Sequence, residues 1–368
     1  MESSRTPTGG QGQGGTPLIG TKIRAPRLPD DYDGMAALWN EWLAEPTTAE
    51  ALAEEDRKMY EQGKLHRNEE GKLAGYDRLR QVAEAEDGRL VGYSTIWRAP
   101  WTPPGMVNHF VLVAADAHGQ GIGAELTRSS REWARAAGAD TLLSECWDDD
   151  ERALAFARRG GFETERRSWQ SVLDLTDGQD PSQPEDRMII ERLEEEGIAF
   201  ASLADLPPGE ETLRRLHELC TSTYTDIPGF LGETMPYEEW LKWGLQVEGY
   251  APARVLVAMD GERPVGICNV IYNEDSGGMY HEYTGVAREY RGRGIARALK
   301  LLSIRLALRA GARYLRTDND SLNVPMLAIN RRLGYRPLRG RHRLIATLEQ
   351  GASTREGSGA GRTAAPTA

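Results

Sequence analysis

Two glycine-rich turns carry the densest chemistry in the sequence. One lies in "TGVAREYRGRGIARALK" (Thr284 to Lys300), where Gly292 and Gly294 stand among Arg291, Arg293 and Arg297. The other lies in "LVAADAHGQGIGAELTR" (Leu112 to Arg128) and holds Gly119, Gly121 and Gly123. Each follows an apolar run that reads as a strand and opens a run that reads as a helix. Such a junction presents the unpaired N–H groups of the first helical turn, with the positive end of the helix dipole, to an anion. Glycine lets a phosphate come close to the backbone, and Arg291 and Arg293 add positive charge. Two other phosphate motifs fail on spacing. GxxxxGK[ST] is absent, and the last glycine of GxGxxG is replaced by Arg297 in the later turn and Leu126 in the earlier one.

The elements that must hold these turns recur at one separation. Val113 and Val286 are 286 − 113 = 173 apart, and the glycines follow in the same register. So do Ala137-Gly138-Ala139 with Ala310-Gly311-Ala312, Gly161-Phe162 with Gly334-Tyr335, and Asp87-Gly88 with Asp260-Gly261. The chain therefore reads as a tandem repeat of one domain. In the second copy "RVLVAMDGERPVGICNVIY" predicts a hairpin around an Asp-Gly turn, and "MYHEYTGVA" a third strand. Ile295, Leu299, Leu302 and Leu306 fall on one helical face, "RYLRT" is a short strand, and "NVPMLAINRRLGY" is a helix ending near Gly334. The fold class is α/β, with the turn at the carboxyl end of a strand, where such sheets bind ligands. "TDGQDPSQPEDR" reads as a linker. The predicted layout is a disordered tail (1–20), a first domain (21–175), the linker (176–187), a second domain (188–348) and a second disordered tail (349–368).

Composition narrows the function. The formal charge is −11, which disfavours a nucleic-acid binder. No apolar run is long enough for a membrane span, and the N-terminus lacks the apolar segment of a secretory signal, so a cytoplasmic protein is expected. Cys146, Cys220 and Cys268 are widely spaced, which argues against a disulfide framework and a zinc cluster and for three small buried side chains. The acidic run Asp148-Asp149-Asp150-Glu151 reads as a helix start rather than a metal site, and no metal is expected.

The spacing that fits the later turn is [RQ]xxGx[GA], matched by Arg291-x-x-Gly294-x-Ala296. It resembles the acyl-CoA signature of the GCN5-related N-acetyltransferases (GNAT). The helix pattern Asn-x-x-[AM]…Leu-Gly-[FY] of that family is matched by Asn323, Met326, Leu333, Gly334 and Tyr335. The resemblance covers both copies, and the arrangement is similar to that of mycothiol synthase-like tandem proteins. It implies two GNAT domains, each a mixed, mostly antiparallel sheet flanked by helices, with acetyl-CoA as acyl donor. The residues it places at the CoA are Val286, Arg291, Gly292, Arg293, Gly294, Ile295, Ala296, Asn323 and Asn330, with Gly119, Gly121 and Gly123 in the first copy.

The resemblance also implies a site on the strand before the turn. An amine must lose a proton before it attacks a thioester, and Glu282 stands where the family often carries the base. Counted at 173, its counterpart is His109; Arg291 faces His118, and Asn323 faces Asp150. The second copy is thus read as catalytic and the first as degenerate. The family's thiolate-protonating Tyr falls on Asn330, so Tyr283 or Tyr280 is the candidate acid, with solvent as the other source. His281 falls on the opposite strand face from Glu282 and reads as a packed or surface side chain rather than a catalytic one. Tyr224, Phe230, Tyr237, Trp240 and Trp243, and Trp97 and Trp101 in "IWRAPWTPPG", either line an acceptor pocket or pack the core. The expected reaction is direct transfer of acetyl to a small-molecule primary amine, with no nucleic-acid or membrane partner, by a monomer or homodimer. A peptide or protein amine as acceptor, and a non-catalytic acyl-CoA sensor or scaffold, stand as alternatives.

Overall fold

Both copies fold in the predicted element order, and their last strands bind them into one sheet. A computed structural model describes residues 20–178, 180 and 184–349. The expected tails apart from residues 20 and 349, and residues 179 and 181–183 of the expected linker, lie outside those residues. The first half contributes β1 (Lys22–Arg24), α1 (Tyr32–Asn40), α2 (Ala49–Arg57), β2 (Lys64–Arg67), β3 (Leu73–Glu84) and β4 (Leu90–Arg98). It continues with β5 (Met106–Val113), α3 (Ile122–Ala137), β6 (Thr141–Trp147), α4 (Glu151–Arg159) and β7 (Glu163–Asp174). The second half opens with α5 (Pro184–Glu195), which starts inside the segment read as a linker. It is followed by β8 (Ile198–Ser202), α6 (Glu210–Tyr224), α7 (Tyr237–Trp240), β9 (Val255–Asp260) and β10 (Arg263–Asn273). Last come β11 (Gly278–Val286), α8 (Ile295–Arg309), β12 (Tyr314–Asp320), α9 (Val324–Arg332) and β13 (Arg336–Thr347).

Among the described residues the sheet order is β1-β3-β4-β5-β6-β13-β7-β12-β11-β10-β9-β8, with β2 on β3. Each half lends its last strand to the other. β13 inserts between β6 and β7, and β7 pairs with β12 from Ser168↔Asp320 to Asp174↔Tyr314. Two apolar layers clamp the second half of this sheet. Leu193, Ala298, Leu299, Leu301 and Ile304 of α5 and α8 press on one face. Leu216, Leu219, Tyr237 and Trp240 of α6 and α7 press on the other.

A gap in the sheet positions the site. β11 pairs in parallel with β12 only at Met279↔Leu315 and Tyr280↔Arg316. Beyond those residues β11 stays with β10 as far as Val286, while β12 stays with β7 as far as Asp320. The two strands therefore splay, and the free edge of residues 281–286 faces a cleft that ends at the glycine turn. β5 and β6 splay in the same way after Asn108↔Leu143.

Candidate active site

The residue that most shapes the site is an insertion. β10 pairs Asn269 with Tyr283 but the next residue, Val270, with His281, so Glu282 is the extra residue of a β-bulge. The first half has no bulge there: Thr95 pairs with Phe110 and Ile96 with His109. His109 is therefore the counterpart of His281 (281 − 109 = 172), and Phe110 that of Tyr283 (283 − 110 = 173). Packing agrees. His109 lies 6.1 Å from the Phe162 ring and His281 6.1 Å from the Tyr335 ring, centroid to centroid. This corrects the constant-register reading. Glu282 has no partner in the first copy, and His109 is a buried core histidine rather than a substituted base. Burial, then Arg131, lowers the His109 pKa to about 4; burial, then Lys300, holds His281 well below its usual value.

The bulge also breaks strand alternation, so Glu282 and Tyr283 both line one cavity against α6 and α7. His281 goes to the opposite face as expected, where its Nε2 is hydrogen-bonded to the Tyr335 hydroxyl (2.8 Å). The cavity, about 60 Å³, is walled by Tyr224, Met235, Trp240, Trp243, Ile267 and Asn269. Of the aromatic candidates, Tyr224, Trp240 and Trp243 thus reach it. Tyr237 packs in the core beside it, and the Trp101 carbonyl instead accepts the Glu233 N–H (3.3 Å). Glu282 is solvent-exposed at the cleft edge of this cavity. Desolvation by the neighbours packed around the carboxyl, and then the Asp318 carboxylate on β12, raise its pKa. The Tyr280 hydroxyl donates to Asp318 Oδ2 (2.8 Å). Tyr283 is hydrogen-bonded to Thr223 Oγ1 (2.6 Å) and stacks on Tyr224 with centroids 4.2 Å apart. Both candidate acids thus have engaged hydroxyls, and burial raises the pKa of each.

At the turn, Gly292 and Gly294 take φ of +78° and +96°, a region that favours glycine. The first N–H in the α8 ladder is that of Ala298, donated to the Gly294 carbonyl (3.0 Å), so the preceding N–H groups form the orphan set of a helix start. A Cβ on Gly292 would meet nothing within 4 Å, so that side is open to a phosphate. Gly294 differs from expectation: a Cβ there would strike the Ile189 side chain of α5 before any ligand. α5 is further pinned by the Arg192 guanidinium, which donates to the Arg293 carbonyl (2.5 Å), and by the Arg293–Glu196 ion pair (2.9 Å). Val286 and Ile295 bury their side chains in the core, leaving only their backbone for a ligand, and Ala296 packs against the same cluster.

Arg291 organises the turn. Its Nε donates to the Val286 carbonyl (2.9 Å) and its Nη2 to Asp226 (2.6 Å). Asp226, just after α6, also pairs with Arg288, and these guanidinium partners, Arg288 foremost, pull its pKa to about 2. In the first copy His118 reaches the Val113 carbonyl in the same way (2.8 Å), so the His there keeps the turn-organising bond. Gly119 is as open as Gly292, Gly121 has φ of +84°, and Gly123 sits within α3 against Val113 and Phe156.

Asn323 and Asp150 are both helix N-caps, accepting from the N–H of Met326 (3.4 Å) and Ala153 (2.8 Å). The pantetheine role expected of Asn323 thus meets a side-chain oxygen engaged in capping. Asn330 is buried, donates to Asn319 (2.6 Å), and leaves its Oδ1 without a partner. The three cysteines are buried and free. Sequence reasoning missed the bulge, Asp226, Asn269 and the π-helical turn Leu241–Leu245, whose Gly244 carbonyl accepts from Asn269 Nδ2 (3.2 Å).

The comparisons with known proteins agree with this geometry. The profile of the Acetyltransferase (GNAT) family matches twice, at residues 36–162 and 211–335. A GCN5-related N-acetyltransferase from Sphaerobacter thermophilus is similar over 89% of this chain and 95% of its own, at 20% identity and TM-score 0.63. A tandem GNAT protein from the clavulanic acid biosynthesis pathway is similar over 89% and 98%, at 19% identity and TM-score 0.65. Among curated proteins no match is found. No helix among the described residues is long and apolar enough to cross a membrane. With both halves matched and both splayed strand pairs ending in a glycine turn, the chain belongs to the GNAT acetyltransferase family, as a tandem of two domains.

Proposed function

We propose that the chain transfers an acetyl group from acetyl-CoA to the primary amine of a small molecule, and that the second half performs the chemistry. The observation that carries this is the bulge, which turns a carboxylate of raised pKa into an aromatic-walled cavity at the edge of a cleft. The first half has no such residue. The open side of Gly292 and the orphan N–H groups before Ala298 suit a pyrophosphate, so the residues present fit the donor.

In this reading Glu282 takes the proton from the ammonium, directly or through water, as a base whose raised pKa lies nearer the working pH than an ordinary carboxylate's. The freed amine attacks the thioester carbonyl. The free-edge N–H groups of β11 stabilise the oxyanion, the nitrogen gives its second proton to water, the C–S bond breaks, and the amide and a CoA thiolate form. With the Tyr280 and Tyr283 hydroxyls engaged, the thiolate takes its proton from solvent. The test is thiol release from acetyl-CoA across an amine panel. Release that needs an amine and disappears in Glu282→Gln supports the reading. CoA binding with no release on any amine would favour an acyl-CoA sensor.

A further inference from the structure

The cavity beneath α6 and α7 carries more information than its position. Asn269 is 5% exposed and points its amide at the lining, yet only half of that amide is used. Nδ2 donates to the Gly244 carbonyl, and Oδ1 is buried with no partner in the protein. A buried acceptor without a donor is costly, so one that lines a cavity is open to a water or to a ligand that donates. The carbonyl that fixes the amide comes from a π-helical turn, a distortion that recurs at functional sites. Glu282 supplies a second acceptor on the same cavity, and Tyr224, Trp240 and Trp243 give it aromatic walls.

Size sets a further limit. The cavity is about 60 Å³, well below the roughly 150 Å³ that accepts a benzene ring. An ammonium on one methylene is the most compact head for such a space, so a second carbon on the same atom is disfavoured. We propose that this cavity is a socket for an unbranched aminomethyl head, R–CH2–NH3+, and that Asn269 selects it by accepting an ammonium N–H. The inference rests on the acceptor reading of the site and narrows its substrate class to primary amines on a CH2 group. Weaker binding is expected for amino sugars with nitrogen on the ring and for α-amino groups of amino acids.

The test uses a matched pair, n-butylamine and sec-butylamine, which differ only in branching beside nitrogen. Calorimetric titration of the full chain with CoA present should show n-butylammonium binding at least tenfold more tightly. Asn269→Leu should weaken n-butylammonium by about tenfold or more, the loss expected for a hydrogen bond to a charged group. Asn269→Asp, which keeps an acceptor, should recover most of that affinity, with thermal melts confirming that both variants fold. Equal affinities for the two amines would overturn the socket, as would an Asp variant as poor as the Leu variant, since that would reduce Asn269 to a prop for the π-helical turn. The two readings fail separately. Selective binding without turnover of acetyl-CoA sinks the transferase reading and supports the socket; turnover indifferent to branching does the reverse.

Discussion

Replacing Glu282 by Gln keeps the side chain's size and removes its ability to hold the amine's proton. General-base catalysis contributes about 10²- to 10⁴-fold, or roughly 3 to 5 kcal/mol of barrier at 1.36 kcal/mol per decade. Desolvation and Asp318 raise the carboxyl's pKa, the direction that suits a base. Thiol release at saturating acetyl-CoA should therefore fall at least a hundredfold. The Kd for CoA should stay within about twofold, since the turn is built from other residues. The pH profile gives a second reading. The base works only when ionised, so wild-type rate is lost as pH falls through the raised pKa. Asp318→Asn removes the second cause of the shift and should move that acid limb to lower pH. A Gln variant within about threefold of wild type, or an acid limb unmoved by Asp318→Asn, would refute this reasoning.

Three further outcomes follow. Alanine at Gly294 should lower the thermal midpoint more than alanine at Gly292: both pay for positive φ, but only Gly294 also presses Ile189, and equal shifts would deny the α5 contact. Ending the chain after Tyr335 removes β13 from between β6 and β7, so both halves should lose protection together in hydrogen exchange; a first half that stays protected would show that the strand exchange is dispensable. Asp226→Asn should weaken CoA binding severalfold by loosening Arg291, while costing under about 1 kcal/mol of stability because its partners are exposed. Because the folded pKa of Asp226 is lowered, to about 2, its contribution is present above the unfolded carboxyl's pKa and fades as pH drops through about 2. At neutral pH the variant therefore reads the full effect.

Local patterns made much of the fold legible. The period-2 runs became β9, β10 and β11, the 3.6-period run became α8, and the glycine turns marked the strand–helix junctions. The strand exchange was not legible, because β7 and β13 choose partners far along the chain and no local signal records that choice. The bulge was hidden for a different reason. Gly92 and Gly266, each crowded by the following helix, are 174 apart, His109 and His281 are 172 apart, and the offset returns to 173 at Phe110 and Tyr283. Compensating length changes around the hairpin restored the count at the landmarks, so a gap-free comparison matched Glu282 with a core histidine. Asn269 and Asp226 could not be singled out either, since their roles come from partners on other elements.

The most direct measurement of the central claim is a crystal structure of the full chain with CoA. The account predicts pyrophosphate on the N–H groups of Gly292 to Ala296 and the sulfur in the β11–β12 cleft, facing the Glu282 cavity. CoA bound solely at the Gly119–Gly123 turn, with the second cleft closed under α5, would contradict it.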